Sequence, residues 1–222
     1  MAERITKQRE LGEFNRIIMR GIGKLNIQQG KHQDVTIEGD EIAIKRITTN
    51  VSDGRLTIDI GRDWVEKLSA GFDFFSSQDI RISITVESLQ ELEVTGAADI
   101  EVKDIKTDSL ALKMTGASNV RVLNLKADSL KTEIPGAGKI LVNGKVKDQS
   151  VTLAGAGNFS GHDLESKTAK VVLSGVGSTQ LWVTDELEVT IAGVGSVEYF
   201  GSPAIKQSVT MLGKVSSLGD HR

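Results

Sequence analysis

Apolar residues fall on every second position through short runs that recur along most of the chain. Leu92/Val94, Leu112/Met114, Val151/Leu153, Val171/Leu173, Val189/Ile191 and Val209/Met211 each alternate with polar or small neighbours. A turn follows each pair, and alternation resumes at Ile100/Val102, Val120/Val122, Ile140/Val142 and Val197/Tyr199. A period of two predicts strands with one buried face. The turns between them read G-[AV]-[AGS]-[DNKS] in all but the last copy. Glycine there adopts positive φ at low cost, and Asn, Asp and Ser support tight bends through their own side chains. On this reading Gly116→Val is destabilising because the corner needs φ > 0.

The first glycine of each motif gives a ruler: Gly96, Gly116, Gly136, Gly155, Gly175, Gly193 and Gly213, at steps of 20, 20, 19, 20, 18 and 20. An earlier copy stands at Gly21, in IIMRGIGKLNI. A second, polar corner follows in most copies: KTDSL, KADSL, KVKDQSV, LESKTAKV and TDELEV. One repeat is thus strand, glycine corner, strand, polar corner. Such a unit is too small to bury its own apolar face, but copies stacked at a constant step share a core. The expected fold is all-β: a β-solenoid, or parallel β-helix-like repeat, with about 20 residues per coil and equivalent strands paired in parallel. Seven coils at about 4.8 Å per rung make a rod on the order of 35 Å long. The alternative is a meander of antiparallel hairpins in a sandwich or barrel; near-identical turns at one corner favour the coil.

The N-terminal part is less regular. DVTIEGDEIAI (34–44), DGRLTIDIG (53–61) and RISITVESL (81–89) read as strands around polar turns. RDWVEKLSAGFDFFSS (62–77) breaks the rhythm as a short helix or a loop over the coils. The expected organisation is one continuous domain over 1–222, with irregular strands and a cap in 13–90 and tandem repeats in 91–218.

Composition sharpens this picture. At 222 residues the chain buries enough surface to need no staples, consistent with its lack of cysteine. That lack excludes a disulfide framework, a thiolate metal site and a thiol nucleophile. It leaves the redox compartment undetermined. With 23 glycines, two prolines and 4% aromatics, the chain suits short strands and tight turns rather than a stacking surface for sugars or bases. Net charge is −3 and the lysines and arginines are read as scattered among acids, so no nucleic-acid footprint is expected. No apolar run is long enough to span a membrane. The polar start MAERITKQRELGEF has no apolar signal region, so the chain is either cytosolic or a trimmed mature form.

EFNRIIMRGIGKLNIQQG, then DGRLTIDIG, then tandem LxxTGA-type repeats resemble the auto-transporter adhesin head domain family, the GIN domain, over roughly 13–218. The resemblance implies a secreted or envelope-associated bacterial protein with a repetitive β fold and no established biochemical activity. It transfers no catalytic residues.

Candidate chemistry is sparse. The glycine corners end on a column, Asp99, Asn119, Lys139, Asn158, Ser178, Ser196 and Ser216. Stacked coils would set these side chains in a ladder. The plainer account of the column is turn chemistry; the functional account is a polar groove for a glycan or a cation. One carboxylate in seven rungs argues against calcium. The GAG and GVG triplets are followed by strands rather than helices, which argues against a phosphate loop. His32, His162 and His221 show no metal-ligand spacing and read as surface residues. Asp104, Asp108, Asp128, Asp163 and Asp185 fall mostly at the second corner, where adjacent coils could pair two carboxyls for glycoside cleavage. Turn capping explains them more simply. Trp64, Phe72, Phe74 and Phe75 form an aromatic cluster that reads as a cap over an open core or as a partner contact.

The functional expectation is therefore a non-enzymatic, secreted or envelope-associated adhesin-like or structural module without a cofactor, contacting a surface glycan or protein. The alternatives are a polysaccharide-active enzyme on a β-helix scaffold, and an apolar-ligand carrier, for which stacked coils leave little interior room.

Overall fold

The computed structural model describes residues 4–60 and 80–221. The aromatic cluster Trp64, Phe72, Phe74 and Phe75 lies outside the described residues. Strands begin with β1 (Arg4–Gln8), β2 (Arg16–Gln29) and β3 (Asp34–Asp40), followed by a short helix α1 (Glu41–Arg46). Next come β4 (Thr48–Ser52), β5 (Arg55–Asp59) and β6 (Arg81–Val86). The repeats form β7 (Glu91–Lys103), β8 (Lys106–Met114), β9 (Ala117–Ile134), β10 (Ala137–Lys145), β11 (Asp148–Leu153) and β12 (Ala156–Leu173). The chain closes with β13 (Val176–Ile191), β14 (Val194–Phe200), β15 (Ala204–Val209) and β16 (Gly213–Ser217).

The repeats coil, as their period predicts. From β2 onward every coil-to-coil pairing is parallel, in a β-solenoid of about six turns of roughly 20 residues each. The early copy at Gly21 stacks directly on Gly96, and Leu25 on Ile100, although most of the N-terminal section lies between them in the chain. Each rung donates backbone hydrogen bonds to the rung before it, even through the corners: the Thr115 amide to the Val94 carbonyl at 2.9 Å, and the Gly155 amide to that of Ile134 at 2.9 Å. The polar corner is not always a break. β9 and β12 run through it as continuous bent strands, with a register shift in the β12–β13 pairing at Gly161–Glu165.

Inward side chains stack like on like. Leu25, Ile100, Val120, Ile140, Phe159, Thr179, Val197 and Val215 form one column; Val151, Val171 and Val189 belong to another. One buried apolar cluster extends from Phe14 to Val197. Thr132 and Thr179 interrupt these columns fully buried, and their Oγ1 atoms find no partner among the described residues. A buried unpaired hydroxyl costs about 1–3 kcal/mol, and valine has the same shape without it. Thr132→Val and Thr179→Val should therefore each raise the melting temperature, by roughly 2–4 °C per kcal/mol for a chain of this size. Calorimetry showing both variants less stable would contradict this packing.

Three expectations need correction. Residues 41–44 are helical rather than extended: the Asp40 side chain caps α1 by accepting from the Ile42 amide at 2.7 Å, and Glu41 pairs with Lys45 at 2.8 Å. Such local capping outweighs a two-residue apolar alternation. Gly213 pairs with Gly195 and Val209 with Ile191, so the final copy is offset by two residues from the glycine ruler. Finally, Gly116 does not occupy a positive-φ conformation, whereas Gly138 does, at φ 138°. Gly116 is required for a different reason: a Cβ there would lie 1.9 Å from the Gly96 carbonyl oxygen.

The two ends differ. At the N-terminal end, β5 and β6 flank β2, and antiparallel strands β4, β3 and β1 finish the sheet. The outermost strands there, β1 and β4, are five residues each, and such short edge strands are poor templates for another chain. At the other end β15 pairs with β13, and every residue of β15 is exposed.

Candidate functional site

The glycine corner presents an outward column in register. Lys24 stands beside Asp99, Asp99 beside Asn119, Asn119 beside Lys139 and Lys139 beside Asn158. Ser178 and Ser196 follow, and the last rung is Lys214 rather than the expected Ser216, because of the two-residue offset. One corner clips the coil before it: Ser118 is buried, its hydroxyl donating to the Gly96 carbonyl at 3.1 Å and accepting from the Ala98 amide at 3.0 Å. That clip fixes the backbone carrying Asp99 and Asn119.

Side chains along the column bond to one another. Asn119 Nδ2 donates to Asp99 Oδ1 at 3.0 Å, and Ser178 Oγ donates to Asn158 Oδ1 at 2.9 Å. Two residues on, a second outward column runs through Asn26, Glu101, Arg121 and Leu141. Arg121 donates to Glu101 Oε2 at 3.2 Å, and Lys103 Nζ lies 2.5 Å from Glu101 Oε1. The Lys103 hydrogen bond, aided by Arg121, holds the Glu101 carboxyl below the usual carboxylate range.

Between the two columns lies a groove of about 420 Å³ lined by Lys24, Asp99, Glu101, Asn119, Arg121 and Lys139, with Leu141 among them. Three of the seven predicted ladder residues, Asp99, Asn119 and Lys139, thus converge on one groove, while Asn158 lies one rung further along. Lys24, Glu101 and Arg121 were not singled out by the sequence. Their signal was present, since Lys24 sits three residues after Gly21 as Asp99 does after Gly96, and Glu101 and Arg121 share a repeat position. The groove offers donors and acceptors at a spacing of about 4.8 Å, set by the rungs. It suits a ligand with many hydroxyl or amide groups.

The acids of the second corner are engaged locally. Asp104 accepts from Asn124 at 2.9 Å, Asp128 pairs with Lys147 at 2.8 Å and Asp185 accepts from Thr184 at 2.6 Å. The histidines are less isolated than the sequence suggests. His162 Nε2 and His221 Nε2 both face Asp163, at 3.1 and 3.3 Å, and Ser160 Oγ lies 2.8 Å from His162 Nδ1. The His221 ring stacks on Trp182 at 4.0 Å and meets Phe200 edge-on at 5.4 Å. This cluster fastens the C-terminal residues to the side of β12–β14. Only the fold brings Asp163 and His221 together, so no sequence spacing announced it. Among the described residues no group of three or more His, Asp or Glu is arranged to hold a metal ion. No helix among them is long and apolar enough to cross a membrane.

Solved structures with the same fold exist. A putative adhesin from Bacteroides fragilis NCTC 9343 superposes with a TM-score of 0.90 at 24% identity, covering 97% of both chains. A protein from Parabacteroides distasonis ATCC 8503 named a putative lipid binding protein gives 0.71 at 21% identity, over 97% of this chain and 96% of that one. A putative adhesin from the same strain gives 0.69 at 20% identity, over 98% of each. At such identities the likeness is one of fold. No curated protein matches the chain. A family profile described as "Putative auto-transporter adhesin, head GIN domain" matches residues 13–203. That match spans most of the sequence, and the chain belongs to this family.

Proposed function

We propose that the protein is a non-enzymatic adhesin-like module, secreted or held at the cell envelope, that grips a surface glycan in the groove of the glycine corner. The observation that carries this reading is the in-register ladder Lys24–Asp99–Asn119–Lys139 lining one groove. Hydroxyl-rich ligands are recognised by many convergent hydrogen bonds on a rigid frame, and a stacked coil provides that frame at low entropic cost. Family membership supports the adhesin-like role. Glycan cleavage would need a carboxyl that stays protonated near neutral pH. The groove carboxyl with a displaced titration, Glu101, moves the opposite way.

The test is a glycan array probed with the wild-type chain and with Asp99→Ala/Asn119→Ala. Both residues are exposed, so folding should survive. Retention of a defined set of glycans, weakened at least about tenfold by the double substitution, is the expected result, since each lost polar contact is worth about 0.5–1.5 kcal/mol. Retention of none, or retention indifferent to the substitution, would overturn the groove assignment. Recovery of the native protein from cytoplasm alone would overturn the localisation.

A further inference from the structure

A different face carries charge that the chain does not neutralise. Lys106 stands in register with Lys126, and Lys126 with Lys145, so three ammonium groups occupy consecutive rungs of the second corner. The Lys167 amide donates to the Lys147 carbonyl at 2.9 Å, which makes these two lysines rung neighbours as well. Several other rungs set opposite charges side by side. Glu93 faces Lys113 at 3.3 Å, Glu101 faces Arg121 at 3.2 Å and Lys170 faces Glu188 at 3.1 Å. Like charges directly opposite on paired strands destabilise a sheet. Three lysines on consecutive rungs with no acid between them therefore call for a reason outside folding.

The five lysines converge on a cleft of about 590 Å³, shared with Asp108 and Asp128. Its lining carries five positive and two negative side chains, a balance of +3 on a chain whose net charge is −3. Lys145 is paired with Glu165 at 2.7 Å and Lys147 with Asp128 at 2.8 Å. Lys106, Lys126 and Lys167 are exposed and have no acidic partner within ion-pair distance among the described residues. Ala127 and Val146 give the cleft an apolar floor.

We propose that this cleft is a second binding site, separate from the glycine-corner groove, for a linear acidic polysaccharide lying along the rod. Its ammonium groups repeat at the rung spacing of about 4.8 Å, comparable to the length of one sugar unit in an extended chain. Anionic groups on successive units meet the unpaired Lys106 and Lys126, with Lys167 further along the cleft, and the apolar floor faces the carbon side of a ring. The cleft lining holds no aromatic ring on which a nucleic-acid base could stack. The shared chemistry is a carboxylate or sulfate on each sugar, and two polymers separate these sources.

The experiment measures binding of the intact chain to polygalacturonate and to dextran sulfate, with neutral dextran, phosphatidylglycerol vesicles and duplex DNA alongside. One or both acidic polysaccharides should bind, and binding should collapse as salt rises from about 0.05 to 0.5 M, where exposed charges are screened. Lys126→Gln should weaken binding at least about tenfold, the loss of one charge-assisted contact. The same substitution should leave the melting temperature unchanged or raised, because it relieves repulsion within the column. Asp99→Ala/Asn119→Ala should leave this binding intact, which keeps the two sites distinguishable. The proposal is overturned if neither acidic polymer binds, if neutral dextran binds equally, or if only vesicles or DNA are retained. It is also overturned if Lys126→Gln loses binding only by unfolding, or if Lys106→Gln/Lys126→Gln/Lys167→Gln binds as well as wild type.

Discussion

Replacing Gly116 with valine should lower the melting temperature by at least about 6 °C, and alanine at the same place should do so by less. The cause is contact rather than torsion. An added Cβ would lie 1.9 Å from the Gly96 carbonyl oxygen and 2.3 Å from the Gly96 nitrogen. Both are backbone atoms within the ladder of coil-to-coil hydrogen bonds, so no side-chain rotation relieves the clash. Nor can the column shift locally. Gly136, Gly155, Gly175 and Gly193 are held the same way, each with a carbonyl oxygen between 1.9 and 2.4 Å from the Cβ position. Opening one rung would strain its neighbours. Overpacking of a core typically costs about 1–3 kcal/mol, and here the obstacle is the backbone of the preceding coil. We therefore expect about 3 kcal/mol or more for valine, or roughly 6–12 °C at this chain length. Thr115→Val, at an exposed neighbouring position, serves as control and should change little. A valine variant that melts with the wild type would show that these glycines do not touch across coils.

The same column explains what the sequence revealed and what it concealed. Where every copy must have glycine at one place, the repeat is visible, and the coil at Gly21 can be recognised despite its distance in the chain from Gly96. The final copy misleads because Met211 takes the place that Gly193 holds one coil earlier. Among the described residues no further rung stacks on this coil, and its corner leaves Met211 60% and Leu212 78% exposed. An alignment on glycines then seizes on Gly213, the partner of Gly195, and misplaces the last ladder residue. The lysine cleft was hidden for another reason. Read along the chain, Lys106, Lys126 and Lys145 sit near acids, in KTD, KAD and KVKD, and look like an ordinary solvated surface. In a solenoid the electrostatic neighbour lies one coil away, so charge has to be read at a step of about 20 residues. Asp99, Asn119 and Lys139 were legible as a column because their repeat position is marked by the glycine beside it. Glu101 and Arg121 share a repeat position too, but no glycine adjoins it, so the pair stands out once the register is known.

Phe159→Ala should cost about 3–5 kcal/mol, the usual range for removing a buried aromatic ring. Phe159 is 1% exposed, the largest of the fully buried side chains among the described residues, in a column otherwise built from aliphatic residues and Thr179. The coil makes room for it with a deletion nearby: at Gly161 an added Cβ would lie 2.7 Å from the Phe159 ring carbon Cε1. Large and small residues at these two places are therefore parts of one packing solution. Gly161→Ala alone should destabilise by forcing the ring from its place, at about 1–3 kcal/mol. In the Phe159→Ala background the same methyl enters vacated space, and its effect should shrink or reverse. A double-mutant cycle followed by chemical denaturation measures this coupling, expected at about 0.5–3 kcal/mol for residues in contact. Strict additivity would mean that the ring and the glycine do not share that volume. The bend at Gly161, where the β12–β13 register shifts, would then need a cause in the backbone alone.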